Sequence, residues 1–161
     1  MALHGRSYSP TAEDFLASFR EAGWRYQQQL VWVKNRMVLG RQNYHLKHEA
    51  MYHGHGPGPN AGRMSASRSR WYGGDDAVSV FEVDSPQASP EHPTMKPVEL
   101  IVPHLRNSSL PGEIVLDPFA GSGSTMIAAE QMGRRAFMVE LDPRYCDVIR
   151  ERWQTFKRKA V

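Results

Sequence analysis

Two glycines and two acids in the C-terminal part of the sequence have the order of a ligand-binding turn. The stretch DPFAGSGST begins at Asp117, and a second acid, Glu140, ends the next predicted strand. Gly121 and Gly123 allow the backbone to turn tightly and to approach a ligand without a Cβ clash. A carboxylate placed like that of Glu140 can accept hydrogen bonds from both hydroxyls of a ribose. The pattern therefore predicts a site for a nucleotide-like molecule.

The type of ligand follows from what the turn lacks. A dinucleotide site has three glycines in a G-x-G-x-x-G spacing, but here the third position is Met126. The lysine of a phosphate-binding loop is missing as well. Asp117 opens the turn, which disfavours a pyrophosphate and suits a cationic ligand that carries an amine. The pattern D-x-F-x-G-x-G with a distal acid resembles S-adenosylmethionine sites, and an ordinary tight strand–helix turn is the alternative.

The elements around the turn follow an α/β pattern. The strand EIVLD leads into the glycines, a helix follows and ends at Gly133, and the strand RAFMVE comes next. Asp142 then caps a last helix that Pro143 opens. Strands and helices that alternate with short connections predict parallel strands, and ligands bind outside the carboxyl ends of such strands. The inner stripe of the last helix is predicted to contain Tyr145, Val148, Ile149, Arg152, Trp153 and Phe156.

The first half of the sequence predicts one helix and two strands. The helix begins at Ser9 and ends at Gly23. Residues 26–34 form a strand whose apolar run LVWV indicates burial on both faces, and residues 48–55 form a shorter one. An antiparallel pairing of the two strands is expected.

Two further segments lie between these halves. Residues 54–91 are rich in glycine, proline and serine, and are predicted to form a mobile surface insertion that serves as a binding loop or lid. A helix is expected from Thr94 to about Asn107. Pro103 inside that helix should cost roughly 3 kcal/mol or produce a kink.

Composition limits the class of protein. The 161 residues suffice for one domain, and 40% hydrophobic with 23% charged residues is typical of a soluble globular protein. No apolar run approaches the ~18 residues that a membrane span needs. A single cysteine, Cys146, excludes an internal disulfide framework, so a reduced, cytoplasmic setting is the default expectation. The net charge of +3 is compatible with a nucleic-acid partner but too small to indicate one.

Several stretches in a characteristic order resemble one enzyme family. The sequence contains GWRYQQQLVWVKN and RQNYHLKHEAMYHG, then EHPTMKPVELI, LDPFAGSGST and VELDPRYCDVIRERW. Together they resemble the C-terminal half of the DNA amino-methyltransferases, which act on adenine N6 or cytosine N4, in the group whose cofactor region comes last. The resemblance covers nearly the whole chain.

The resemblance implies a fold. It is an α/β, partial Rossmann-like fold of the S-adenosylmethionine-dependent methyltransferases, with a mostly parallel sheet, an antiparallel strand pair and a missing central strand. Residues 1–161 would form a single, incomplete domain in which residues 54–91 are the insertion and a target-recognition loop.

The resemblance also implies roles in binding S-adenosyl-L-methionine. Glu140 would accept the ribose hydroxyls, and Asp117 with the glycines would shape the pocket. The motif HPTMKP would close over the methionine end, where Thr94 or Lys96 could meet its carboxylate. Taken alone, HPTMKP is also explained as a helix cap with a solvated lysine. The implied cofactor-binding residues are His92, Thr94, Lys96, Pro97, Asp117, Phe119, Ala120, Gly121, Ser122, Gly123, Ser124, Glu140 and Asp142.

The catalytic motif of the family is missing from this sequence. An exocyclic base amine is a poor nucleophile because its lone pair is delocalised into the ring. The family uses an Asp, Asn or Ser followed by two prolines and an aromatic residue to hold the flipped base. The 161 residues contain no Pro-Pro dipeptide, and Asp117-Pro118-Phe119 belongs to the cofactor turn. No catalytic residue is therefore assigned in this chain.

The strand that carries this motif lies centrally in the family's sheet, beside the strand that ends at Asp117. Its loss would leave backbone groups and apolar faces exposed. Three accounts fit: a truncated product, one half of a split enzyme whose second chain carries the motif, or a homodimer that closes the gap.

The remaining polar residues raise two further kinds of site, for DNA and for a metal. Arginines interleaved with aromatics can bind phosphate and stack on bases, although a solvated polar loop is an equal alternative. A metal site among His45, His48, His53 and His55 is disfavoured, because no cysteine accompanies them and His48 should face away from the other two strand histidines. The candidate DNA contacts are Arg36, Arg41, Tyr44, His45, Arg63, Arg68, Arg70 and Trp71.

The sequence thus predicts the cofactor-binding half of a DNA methyltransferase that transfers a methyl group to adenine N6 or cytosine N4 and is inactive alone. The alternative is a non-catalytic module that binds cofactor or DNA as a partner subunit. Methylation of RNA or protein is a weaker alternative. The choice between adenine and cytosine, the recognition sequence and a restriction–modification role stay open.

Overall fold

A computed structural model describes residues 9–41, 43–56, 70–86 and 95–159. The chain divides into two compact units, residues 1–84 and residues 85–161. Across the described ranges, no helix is both long and apolar enough to span a bilayer.

The first unit is a three-stranded sheet with one helix. Its strand order is β2-β1-β3, with β2 antiparallel and β3 parallel to β1. The elements are α1 (Ser9–Glu21), β1 (Arg25–Val38), β2 (Leu46–His55) and β3 (Val80–Glu82).

The hairpin of β1 and β2 confirms the predicted antiparallel pair. Leu30 lies opposite Met51, and both side chains are buried. Trp32 is also buried, at 2% exposure, whereas its neighbours Val31 and Val33 are only half-buried. The expectation that β1 is buried on both faces was therefore wrong: only the face with Leu30 and Trp32 is fully covered.

The strand β3 lies within residues 54–91, the segment that the sequence predicts to be a surface insertion. Phe81 pairs with Trp32 in the parallel register, and the indole Nε1 of Trp32 donates to the carbonyl of Val83 at 2.7 Å. A three-residue strand is too short to show an alternating pattern in the sequence. Residues 57–69 and 87–94 lie outside the described residues.

The second unit has the predicted order of strands and helices. β4 and β5 are parallel, in a register that runs from Ile114 opposite Arg135 to Asp117 opposite Met138. The elements are α2 (Val98–Ser108), β4 (Ile114–Asp117), α3 (Ser124–Gln131), β5 (Arg135–Met138) and α4 (Pro143–Lys159). The α/β class with parallel strands is confirmed.

Helix α2 begins later than predicted. Met95 and Lys96 are not helical, and Pro97 is the N-cap, with an extended backbone (φ −66°, ψ 142°). Pro103 is accommodated inside the helix. Proline disfavours a helical conformation in the residue before it, which explains why Lys96 stays outside the helix.

The core of the second unit lies between α2 and α3. Ile101 and Leu105 of α2 pack with Ala128 and Ala129 of α3, and neither alanine has any exposed surface. Small residues on α3 allow the two helices to approach closely. The residues that pack around this cluster are Val98, Val102, Val115 and Ala136.

The other side of the β4–β5 sheet is largely uncovered. Leu116 is 64% exposed, although the neighbouring Val115 packs against the helices. A parallel strand pair of this kind is normally covered on both faces. The exposed apolar residues along the two strands and just after them are Ile114, Leu116, Phe137, Val139 and Leu141.

Candidate functional site

The glycine turn lies at the carboxyl ends of β4 and β5. The N–H of Gly123 donates to the carbonyl of Ala120 at 2.8 Å, which closes a tight turn over residues 120–123. Gly121 and Gly123 have positive φ angles of 53° and 77°. Other residues adopt this backbone conformation only with strain, so both glycines are required by the turn.

The carboxylate of Glu140 faces this turn. It accepts a hydrogen bond from the N–H of Gly121 at 2.7 Å and another from the N–H of Asp142 at 3.0 Å. The bond from the Asp142 N–H, opposed by partial burial and helped by the bond from Gly121, lowers the pKa of Glu140 below its ordinary value. The group is therefore an anionic acceptor beside the turn at neutral pH.

Asp117 holds the two ends of the glycine segment. Its Oδ1 accepts the N–H of Phe119 at 3.0 Å, and its Oδ2 accepts the hydroxyl of Thr125 at 2.7 Å. A carboxylate oxygen has two acceptor positions, so the group retains capacity for a donor on a ligand.

Two serines of the turn are buried structural groups. Ser122 and Ser124 are each 4% exposed. The hydroxyl of Ser124 donates to the carbonyl of Lys96 at 2.7 Å, which brings the backbone before α2 to the turn. This contact joins the end of the HPTMKP motif to the glycine turn, and a shared ligand site of the two stays a prediction. Pro97 is buried beside it, whereas His92 and Thr94 lie outside the described residues.

Helix α4 packs against the back of the turn. Ile149 is buried, and a Cβ added to Gly123 would lie 3.0 Å from its Cγ1 and Cγ2. The guanidinium of Arg152 donates through Nη1 to the carbonyl of Ser122. Sequence reasoning placed Arg152 only in the inner stripe of the helix. The signal that could have distinguished it is a cationic residue within an otherwise mostly apolar stripe.

Asp142 caps α4, as predicted. Its Oδ1 accepts the N–H of Arg144 at 2.9 Å, and its Oδ2 lies 2.7 Å from Nη2 of the same arginine. These hydrogen bonds from Arg144 lower the pKa of Asp142. The carboxylate thus serves the helix start, and it is the backbone N–H of Asp142 that reaches Glu140.

Two apolar side chains next to the predicted site residues are exposed. Phe119 is 70% exposed and Leu141 is 96% exposed. Leu141 was not among the predicted site residues, although it directly follows Glu140. Large apolar groups left in solvent beside a polar turn are typical of a surface that a ligand or partner covers.

The candidate DNA contacts belong to the first unit. Arg36 lies in β1, and Arg41, Tyr44 and His45 lie in the connection to β2, where Tyr44 is 89% exposed. Arg70 and Trp71 are exposed, and the Trp71 ring lies edge-on to His53, with centroids 6.4 Å apart. Arg63 and Arg68 lie outside the described residues.

Two of the three histidines of β2 form a ring pair. The centroids of His53 and His55 are 5.8 Å apart, so the two side chains share a face as expected for alternating positions. Burial lowers the pKa of both, and Nε2 of His55 lies 2.7 Å from the Gln27 side-chain oxygen. Within the described ranges, no three His, Cys, Asp or Glu residues are placed to hold a metal ion.

A match to a family model places the chain in a known family. The family model for DNA methylases of the N6/N4 type matches residues 5–151, and the chain belongs to this family.

Individual relatives match parts of the chain. YubD of Escherichia coli (strain K12) is 54% identical over 54 residues, which are 34% of this chain and 24% of YubD. The type II methyltransferase M.Cfr9I of Citrobacter freundii is 28% identical over 152 residues, which cover 85% of this chain and 47% of that protein. The matched part of the chain therefore spans about half the length of M.Cfr9I and about a quarter of the length of YubD.

A solved structure shares the fold. TTHA0409 of Thermus thermophilus, crystallised in complex with S-adenosyl-L-methionine, superposes with a TM-score of 0.67 at 25% identity. The match covers 91% of this chain and 60% of that one.

Proposed function

We propose that this chain binds S-adenosyl-L-methionine at the glycine turn and forms the cofactor-binding part of a DNA methyltransferase. The observation that carries the proposal is the position of the Glu140 carboxylate, 2.7 Å from the Gly121 N–H at the carboxyl ends of two parallel strands. Membership of the DNA methylase family and the cofactor in the related TTHA0409 structure support it.

The residues of the turn fit this cofactor. Gly121 has no side chain, so a ligand can approach its backbone closely. The missing side chain of Gly123 makes room for Ile149 behind the turn. Glu140 would accept the ribose hydroxyls, and Asp117 would attract the cationic methionine end. The exposed side chains of Phe119 and Leu141 would pack against the adenine ring. Lys96, or Thr94, would meet the methionine carboxylate; Thr94 and His92 lie outside the described residues. The other assigned residues would hold the turn and its surroundings: Pro97, Ala120, Ser122, Ser124 and Asp142.

When bound, S-adenosyl-L-methionine supplies an electrophilic methyl group, and the proposed acceptor is adenine N6 or cytosine N4 of a base flipped from DNA. The basic and aromatic side chains of the first unit would contact the DNA. Arg36, Arg41, Tyr44, His45, Arg70 and Trp71 are the described candidates, with Arg63 and Arg68 outside the described residues. The single cysteine is consistent with a reduced, cytoplasmic location.

Transfer also needs the motif that holds the base amine, and these 161 residues contain no Pro-Pro dipeptide. We propose that a further polypeptide segment supplies this motif on a strand beside β4 and also covers the exposed face of β4 and β5. The 64% exposure of Leu116 and 58% exposure of Ile114 support a missing layer there. A separate chain is the favoured source. A homodimer is the alternative cover for this face, although a second copy would not supply the motif. The 161 residues alone are expected to be inactive.

The absence of that motif also favours a second candidate function. A chain that keeps the turn and Glu140 but contributes no base-holding motif could serve as a non-catalytic subunit that binds cofactor or DNA. The test mixes the chain with motif-bearing segments of family members and measures cofactor binding and DNA methylation. Cofactor binding without methylation in every mixture would support this candidate.

The test of the proposed cofactor site is a calorimetric titration of the chain with S-adenosyl-L-methionine. Binding in the micromolar range is expected, and Asp117→Ala should abolish it. Asp147→Ala is the matched control, because Asp147 is an exposed carboxylate on α4 that pairs only with Arg150 among the interactions of the described residues. No binding to the folded wild-type chain would contradict the proposal.

The test of the missing layer uses Leu116→Lys and, as a control on the same chain, Leu39→Lys, since Leu39 is 74% exposed and follows β1. Light scattering of the chain mixed with a motif-bearing segment should show a complex that Leu116→Lys prevents and Leu39→Lys does not. Equal assembly of both variants would contradict the location proposed for that segment.

A further inference from the structure

A cation lies behind the glycine turn. Arg152, on the buried side of α4, directs its guanidinium to the carbonyl of Ser122. The side chain is half-buried, and burial lowers its pKa. Among the interactions of residues 95–159, no carboxylate forms an ion pair with it.

This arrangement differs from an ordinary surface arginine. Burying a charged group is unfavourable unless hydrogen bonds or a counter-ion compensate. Here the Ser122 carbonyl compensates the buried part of the group, and a hydrogen bond from a charged donor is stronger than a neutral one. By contrast, Arg150 on the same helix is 72% exposed and pairs with Asp147 at 2.9 Å. A cation that served only to keep the helix surface polar would lie in solvent, as Arg150 does.

The contact sets the orientation of one peptide group. The Ser122 carbonyl accepts from Arg152, and the N–H of the same peptide, on Gly123, donates to Ala120 at 2.8 Å. Because the peptide is planar and trans, holding both of its polar ends fixes its plane. The preceding turn residue, Gly121, is then held in the conformation that directs its N–H at Glu140.

We propose that Arg152 is a positioning residue for the cofactor turn: its guanidinium holds the Ser122–Gly123 peptide from behind, so that the Gly121 N–H and the Glu140 carboxylate are arranged for S-adenosyl-L-methionine before it binds. This inference rests on the proposed function, since it concerns the same site. It assigns to α4 a part in ligand affinity, although Arg152 itself touches no ligand.

The experiment compares Arg152→Ala, Arg152→Lys and the control Arg150→Ala by calorimetry with S-adenosyl-L-methionine and by thermal unfolding. Arg152→Ala is expected to lose at least about tenfold in affinity, the size of effect for a lost charge-assisted hydrogen bond. Arg152→Lys should recover part of the loss. Guanidinium ion at millimolar concentration should restore affinity to Arg152→Ala and not to Asp117→Ala. Arg150→Ala should bind like the wild-type chain.

A second readout is independent of the ligand. The amide resonances of Gly121 and Gly123 in ¹⁵N-labelled protein should shift in Arg152→Ala, return toward the wild-type position with guanidinium, and stay unchanged in Arg150→Ala. If the wild-type chain binds no cofactor, the proposed function fails, and these resonances still test the contact. Wild-type affinity for S-adenosyl-L-methionine in Arg152→Ala would overturn the inference. So would a loss of affinity that guanidinium does not restore, if the amide resonances of Gly121 and Gly123 also keep their wild-type positions.

Discussion

Gly121 and Glu140 are joined by a hydrogen bond of 2.7 Å from the backbone N–H to the carboxylate, across 19 positions of sequence. The same carboxylate accepts the N–H of Asp142 at 3.0 Å. One side chain thereby connects the turn after β4 with the start of α4. A ligand at this point would meet a backbone that is already ordered, which reduces the entropy lost on binding.

Replacing this carboxylate by an amide should weaken cofactor binding more than folding. In Glu140→Gln the charge is lost, whereas the side-chain oxygen can still accept one N–H. We expect affinity for S-adenosyl-L-methionine to fall by about 10- to 100-fold, as for a lost hydrogen bond to a charged group. Calorimetry on this variant and on Asp147→Asn, an exposed control, measures the difference. Equal losses in both would contradict the role of Glu140.

The carboxylate of Glu130 should make stability depend on acid pH. It accepts hydrogen bonds from Lys157 at 2.7 Å and from the indole of Trp153 at 3.2 Å, and these lower its pKa below the ordinary 4.5. A lowered folded-state pKa means that the stabilisation is present above the unfolded value and is lost as pH falls through the folded one.

Denaturant unfolding between pH 7 and pH 3 checks this expectation. The free energy of unfolding should fall more steeply below pH 4.5 in the wild-type chain than in Glu130→Gln. At pH 7 the free energies of unfolding of the two proteins should differ by no more than about 1 kcal/mol, because the pair of Glu130 and Lys157 is partly exposed. Parallel pH curves for the two proteins would be the contrary result.

Gly123→Ala should be more destabilising than Gly112→Ala. Both glycines have strongly positive φ angles, 77° and 83°, so the backbone strain is similar, about 1–2 kcal/mol. A Cβ at Gly112 meets nothing within 4 Å, whereas at Gly123 it lies 3.0 Å from Ile149. The additional cost should be about 1 kcal/mol or more, typical of overpacking. Urea unfolding of the two variants gives the comparison, and equal midpoints would show that α4 yields without cost.

Arg134 should be a principal stabilising residue of the second unit. Only 9% exposed, it donates through Nη2 to the Ser109 carbonyl at 2.6 Å, through Nε to the Ser109 hydroxyl at 3.2 Å, and through Nη1 to the Met132 carbonyl. These acceptors follow the ends of α2 and α3. Arg134→Met should lower the free energy of unfolding by about 2–4 kcal/mol, because buried acceptors lose their donor. Arg150→Met, at an exposed position, should change it by less than about 0.5 kcal/mol.

Local signals in the sequence were sufficient to predict the candidate turn. The glycine pair, the acid before it and the acid after the next strand specify a turn whose backbone needs are met only by glycine. The caps of α4 at Asp142 and Pro143 were equally readable, because they depend on neighbouring residues. The order of parallel strands and helices followed from the same local patterns.

Only the tertiary structure placed residues that are distant in sequence against one another. The strand β3, the contact of Ser124 with Lys96 and the contact of Arg152 with Ser122 each join segments that no periodicity links. Their partners are backbone carbonyls and strand edges, which every residue carries, so residue types do not reveal the pairing. The sequence by itself determined which turn could hold a cofactor. The packing of α4 and α2 around that turn decided which other residues hold the turn in place.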